Sequence, residues 1–213
     1  MILAANFEDL EWLEHGFGER SSELPEGIRT VRQIHSAIVL DAAAAKENDT
    51  GDALLAGQPG VRVGIKTADC VPILLVDAGR RVVAAVHAGW RGSAGNISAE
   101  TIGEMMARWN CRPDEIRAAI GPSIGGCCYE VGAEVACRFE TWRPELKGVS
   151  GPVRLDLRGI NEAQLRAAGV DNIWKSEECT FCVPGRFYSY RRDREKAGRM
   201  VSFIGVRSPR LTP

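Results

Sequence analysis

Two short apolar runs, residues 72 to 76 and 82 to 86, flank a polar turn containing Gly79. That pattern predicts a β-hairpin whose strands are buried. A loop of two residues (78 and 79) or of four (77 to 80) places Cys70 directly opposite His87 at the open end of the hairpin. A three-residue loop shifts the register by one and spoils the facing.

The rest of the chain is read in relation to this hairpin. The first 29 residues predict a short strand and a polar loop, with His15 as a surface or packing histidine. Thr30 to Leu40 is rich in β-branched residues and predicts a strand on which His35 shares a face with Gln33 and Ala37. Residues 42 to 50 form a polar connection, and residues 51 to 55 and 61 to 66 predict two small strands. After the hairpin, Ala88 to Ser93 opens a helix of about 16 residues with Ile97, Ile102, Met105, Met106 and Trp109 along one side, ending at Asn110 before Pro113. Its glycine-rich start allows close backbone approach to a ligand, and the N–H groups of its first turn favour an anion. A strand at 116 to 120 feeds a glycine-rich loop, 121 to 130, that reads either as a tight turn or as a ligand loop. Val131, Val135 and Phe139 mark a second helix, and Asp156 with Gly169 brackets a third. Strands follow at 172 to 175 and 201 to 206. No linker divides the chain, so residues 1 to 213 are expected to form one domain.

Charge narrows the choice of partners. Lys and Arg number 27 against 28 Asp and Glu, a net charge of -1, so no global basic field draws the chain to nucleic acid. Any anion site must be local. No apolar stretch approaches the length of a membrane span, and the N-terminus lacks the basic start and apolar run of a signal peptide, so the expected setting is cytoplasmic and membrane-free. Seven cysteines, an odd number, fit reduced thiols or metal ligands better than a disulfide framework.

The chain has only three histidines. On hairpin spacing alone, Cys70 and His87 read either as a metal-holding pair or as a buried cysteine beside a hydrogen-bonded histidine. If His35 joins them, the result is a His2Cys site with a fourth position free, the arrangement of a catalytic zinc. Asp69, next to Cys70, is a candidate orienter or proton acceptor, or else caps a turn. The same ligands suit a blue-copper centre, but no methionine lies near Cys70 or His87 to serve as axial ligand. Three histidines cannot serve a type 1 copper plus a trinuclear cluster. Cys127-Cys128 with Cys179-x-x-Cys182 is a second candidate, for structural zinc, set against by the adjacency of the first two. Cys111 and Cys137 read as packing residues. Arg91 beside Trp90, and Arg191 and Arg192 after Phe187-Tyr188-Ser189-Tyr190, suit either a site for a phosphate and a planar base or a salt-bridged surface strand.

Several motifs in order narrow the reading: Gln33-Ile34-His35-Ser36, Thr67-Ala68-Asp69-Cys70-Val71-Pro72, His87-Ala88-Gly89-Trp90-Arg91-Gly92, Gly121-Pro122-Ser123 with Cys127-Cys128-Tyr129-Glu130-Val131-Gly132, Cys179-Thr180, and Phe187-Tyr188-Ser189-Tyr190-Arg191-Arg192-Asp193 with Gly198-Arg199. Through nearly the whole chain this resembles the YfiH family of laccase-domain, polyphenol oxidase-like proteins. The resemblance implies an α/β fold, a single domain of mixed β-sheets packed together with helices on the outside. It implies zinc, with copper less favoured, held by His35, Cys70 and His87. It also implies a purine nucleoside enzyme, one that phosphorolyses adenosine, inosine, guanosine and methylthioadenosine and deaminates adenosine, its partners being a small nucleoside and phosphate. Cys70, Asp69, Arg91 and Arg191 are the expected catalytic residues. The alternatives are a peptidoglycan editing hydrolase acting on a nucleotide-linked muropeptide precursor and a copper polyphenol oxidase. The sequence departs from the family between Phe17 and Gln33, where a longer segment is usual, and at Ala197, where a threonine commonly precedes Gly-Arg.

Overall fold

In a computed structural model that describes residues 1–46 and 48–208, twelve strands and five α-helices form a mixed α/β fold. The strands are β1 (Leu13–Phe17), β2 (Ile28–Arg29), β3 (Val39–Asp41), β4 (Ala53–Ala56), β5 (Arg62–Thr67), β6 (Val71–Asp77), β7 (Val82–Ala88), β8 (Ile116–Ile120), β9 (Glu130–Val131), β10 (Val153–Arg154), β11 (Asn172–Lys175) and β12 (Met200–Val206). The helices are α1 (Trp90–Ala94), α2 (Ile97–Trp109), α3 (Ala133–Ala136), α4 (Leu157–Ala167) and α5 (Tyr190–Asp193).

Six strands in the order β11, β8, β6, β7, β4, β3 make the central sheet, and β1, β12, β5, β2 make a second; β9 and β10 form a small ribbon. Both strands of the β6–β7 hairpin are buried along their whole length. They are covered on two faces, which is why they read as continuous apolar runs rather than as an alternation. On one face, Val71, Ile73, Leu75, Val82, Ala84 and Val86 pack with Ile97, Ile102 and Met105 of α2 and with Ile160 and Leu165 of α4. On the other, Leu74, Val76, Val83 and Ala85 meet Val63 and Ile65 of β5 and Ile204 and Val206 of β12. Each of the Val, Leu, Ile and Met side chains contributes about 1.5–3 kcal/mol on burial, so the hairpin is fixed between two packed layers.

The hairpin's register differs from the expected one. Asp77 pairs with Val82 and Pro72 with His87, so the loop is residues 78 to 81, one step later than predicted. The Arg80 N–H donates to Asp77 Oδ1 at 2.8 Å and Arg81 takes φ 54°, which sets the turn there. Against the expected pairing this is a slip of two residues, and side-chain direction repeats every two, so Cys70 and His87 keep a common face. They are diagonal rather than opposite.

Three other elements differ. Residues 33 to 38 are not a strand: only an Arg32–Thr50 bridge and β3 remain, and His35 has φ 61°. The helix after the hairpin is two helices, broken at Gly95 and at Asn96, which has φ 56°. Val131 belongs to β9, leaving α3 and a 3-10 turn, Cys137–Phe139, in place of one longer helix. The third helix starts after Asp156 and is followed by Gly169 at φ 92°, as its end signals predict. Among the described residues no helix is long and apolar enough to cross a membrane.

Candidate active site

Cys70 and His87 lie at the open end of the hairpin, and the segment 33–38 folds over that end. Asp52, just before β4 and fully buried, makes it do so. Its Oδ2 accepts from the Ile34 N–H (3.2 Å), the Ser36 N–H (2.6 Å) and the Ser36 hydroxyl (2.7 Å). Its Oδ1 accepts from the His35 N–H (3.0 Å) and lies 2.7 Å from His87 Nδ1. One carboxylate therefore holds the left-handed backbone at His35 and orients the His87 ring. With Nδ1 facing Asp52, Nε2 is the nitrogen of His87 that faces Cys70.

Ligand atoms of His35, Cys70 and His87 all lie within 4.8 Å of one another. The two imidazoles stand edge to face with centroids 4.9 Å apart. Gly89 is the floor of this cradle: a Cβ there would sit 2.9 Å from His35 Cδ2 and 3.1 Å from Cys70 Sγ. Two imidazole nitrogens and one sulfur at this spacing fit a single zinc-sized ion.

The charges agree with that fit. Burial pushes the Cys70 thiol up, but hydrogen bonds from His35 and His87 and their positive charge outweigh it and bring the group to about 6. Burial pulls His87 down, yet the Asp52 carboxylate and the Cys70 sulfur raise it to about 9. Asp52, raised by burial, is lowered to about 2 by His87 and Ser36.

Asp69 follows the same logic on the other side of Cys70. It is buried with φ 88°. Oδ1 accepts from the Thr180 hydroxyl at 2.6 Å, and Oδ2 accepts from the Ser189 hydroxyl at 3.0 Å and the Arg191 N–H at 2.7 Å. The carboxylate ties the Cys179–Thr180 and Ser189–Arg191 segments to the hairpin, and both of its oxygens are engaged.

The three donors open into a cavity of about 710 Å³, within the usual size of a small-molecule site. Six cationic side chains line it, Arg32, Lys66, Arg91, Arg191, Arg194 and Arg199, against the single carboxylate of Asp69. In a chain of net charge -1, positive charge is thus concentrated at this cavity. Aromatic groups share the wall: Trp90, Tyr129 and Tyr190. Burial and the nearby Cys70 charge push the Tyr129 phenol up to about 12. Arg191 lies 5.3 Å from the Tyr129 ring centroid and its Nη1 donates to the Glu130 carbonyl; Arg91 lies 4.3 Å over Trp90.

The structure thus gathers His35, Cys70, His87, Asp69, Arg91 and Arg191 at one cavity. Arg192 is not part of it: its guanidinium donates to the carbonyls of Thr180, Phe181 and Phe187, bracing that segment. His15 lies elsewhere, accepting from the Ala4 N–H through Nε2 at 3.0 Å and packed edge-on to Phe7. Sequence reasoning missed Asp52. Its one signal was an acidic residue directly before an apolar strand.

Residues 18–207 match the family model described as multi-copper polyphenol oxidoreductase laccase. The chain belongs to this laccase family. Among its relatives are a purine nucleoside phosphorylase of Deinococcus radiodurans, 42% identical over 83% of this chain and 69% of the relative, and an adenosine deaminase from an unknown prokaryotic organism, 42% identical over 73% and 61%. The solved structures of YfiH from Bacillus licheniformis (TM-score 0.78, 32% identity) and YlmD from Geobacillus stearothermophilus (TM-score 0.76, 36% identity) superpose on 84% of this chain and 74% of theirs. The YfiH resemblance and the mixed α/β fold are therefore both found. The family's multi-copper description does not fit the donors of this chain, which has three histidines, one of them in the Ala4–Phe7 contact.

Proposed function

We propose that this laccase-family chain is a zinc-dependent purine nucleoside enzyme, acting by phosphorolysis of adenosine, inosine, guanosine and methylthioadenosine and by hydrolytic deamination of adenosine. The observation that carries the reading is the convergence of His35, Cys70 and His87 at a cavity walled by cations and aromatic rings. The names of the phosphorylase and deaminase relatives support the substrate class.

His35, Cys70 and His87 would hold the zinc. With three protein ligands, zinc supplies Lewis acidity at an open position at neutral pH. Asp52 fixes the His87 tautomer and the His35 backbone, so it is a positioning residue. Asp69 takes the same part for the opposite wall, because its oxygens already accept three hydrogen bonds. Arg91 and Arg191 offer guanidinium groups to the phosphate, whose oxygen bonds to the ribose carbon as the bond to the purine nitrogen breaks. Tyr129 and Tyr190 offer ring faces to the base. The cavity draws on side chains from Val31 to Arg199, which supports residues 1 to 213 working as one domain. The seven free thiols favour a reducing, cytoplasmic setting.

Purine release from inosine, measured with and without phosphate in the wild-type chain and in His87→Ala, tests the reading. Phosphate-dependent release that the substitution abolishes is expected. Full activity in a metal-free His87→Ala protein overturns it.

A further inference from the structure

A second cluster of sulfurs lies away from the imidazoles. Cys127, Cys128, Cys179 and Cys182 bring all four Sγ atoms within 4.8 Å of one another. The Cys182 sulfur is 3.3 Å from that of Cys128 and 3.8 Å from that of Cys127. Four sulfurs bonded tetrahedrally to zinc at about 2.3 Å stand about 3.8 Å apart, so the observed spacing needs adjustments of an ångström or less. A disulfide would need about 2.05 Å.

The backbone explains how adjacent cysteines reach one point. Cys128 and Tyr129 N–H groups both donate to the Gly125 carbonyl, closing a tight turn, and the Cys182 N–H donates to the Cys179 carbonyl. A Ser123–Cys179 bridge and the Thr180 N–H to Ser123 carbonyl bond join the two loops. Gly125 lies at the centre: its N–H donates to Cys179 Sγ at 3.2 Å, and a Cβ there would stand 3.2 Å from Cys127 Sγ and 3.0 Å from an Arg158 nitrogen. An amide donor on sulfur is the contact that stabilises a thiolate. Arg158, 8% exposed, sits beside the cluster with Nη1 on the Ser176 and Glu178 carbonyls. Its charge offsets part of the negative charge that four thiolates would leave on a divalent ion.

We propose that Cys127, Cys128, Cys179 and Cys182 form a second, structural metal site that closes on one zinc ion. All four positions are filled by protein, so this site holds loops rather than performing chemistry. The loops it joins carry Ile124 and Tyr129 to the cavity wall and Thr180 to Asp69. On binding, each thiol releases its proton to solvent and nothing is oxidised or reduced. The inference is independent of the proposed activity.

Zinc content of the full chain, loaded under reductant and freed of excess metal, is compared among wild type, His87→Ala and Cys128→Ser/Cys182→Ser. About two equivalents in the wild type and the loss of about one in the cysteine variant are expected. In His87→Ala, cobalt substitution should retain the intense sulfur-to-metal absorption of a tetrathiolate site. A second measurement needs no substitution: alkylation of the zinc-loaded wild type, mapped by mass spectrometry, should spare these four cysteines until a chelator is added, with exposed Cys137 reacting throughout. Unchanged zinc content in the cysteine variant, alkylation of all four at the rate of Cys137, or a Cys128–Cys182 disulfide persisting under reductant would each overturn the proposal.

Discussion

Asp52→Asn is the perturbation that bears most directly on how the His2Cys centre is built. The carboxylate receives four hydrogen bonds from the 34–36 segment and faces His87 Nδ1, with no solvent exposure. An amide of the same size keeps one acceptor oxygen and places an NH2 group toward donors, so at least one N–H of the segment or the imidazole loses its partner. Breaking a buried charged pair from one side costs about 3–5 kcal/mol. Loss of a group that orients a metal-bound histidine costs about 10–100-fold in metal affinity. The assay is a competition titration with a chromophoric chelator, run beside urea unfolding of the metal-free protein. A 10–100-fold weaker zinc affinity at the His2Cys centre, with lowered stability of the apo chain, is expected. Unchanged affinity would refute the idea that Asp52 sets the position of His35 and His87.

Further expectations come from other positions. Gly89→Ala should weaken zinc binding at the His2Cys centre while leaving urea stability nearly unchanged, because its φ of -71° suits any residue and the nearest atoms to the new methyl belong to His35 and Cys70; unaltered binding would contradict the close-approach reading. Arg191→Ala removes the guanidinium but keeps the backbone bond to Asp69, so the KM for phosphate should rise about 10–100-fold, the worth of a charged hydrogen bond of about 1.5–3 kcal/mol, with KM for nucleoside little changed. Burial lowers His15 from 6.5 to about 4, so its neutral form favours the fold; that stability is complete above pH 6.5 and is lost as pH falls toward 4. At about 1.4 kcal/mol per unit the limit is about 3 kcal/mol, which partial exposure reduces to about 1–2. Urea midpoints at pH 7 and pH 4.5 should therefore fall further apart in the wild type than in His15→Gln, and equal differences would contradict this.

How far the sequence could be read depended on whether each signal was local. The β6–β7 hairpin, β8 and α4 were legible because their apolar runs and end signals lie within the segments themselves. Pairing Cys70 with His87 survived a two-residue error in register because parity decides the face. The strand expected around His35 failed for a non-local reason. Ile34 and Ile38 are 43% and 44% exposed, and the segment's shape comes from the Asp52 carboxylate, 16 to 18 residues later. Likewise, the adjacency of Cys127 and Cys128 argued against a shared ion until the turn at Gly125 showed how both sulfurs face Cys182. The cationic wall was invisible to a net charge of -1, because its residues come from segments as distant as Arg32 and Arg199.

The central claim is that one sulfur and two imidazoles, brought together across the hairpin's open end, hold a single ion that faces the cavity. Diffraction from zinc-loaded crystals, recorded on both sides of the zinc absorption edge, tests it most directly. The expected result is an anomalous peak bonded to Cys70 at about 2.3 Å and to His35 and His87 at about 2.1 Å, with its fourth position toward the cavity. No peak among these three side chains, or one held by a single member of the set, would contradict it.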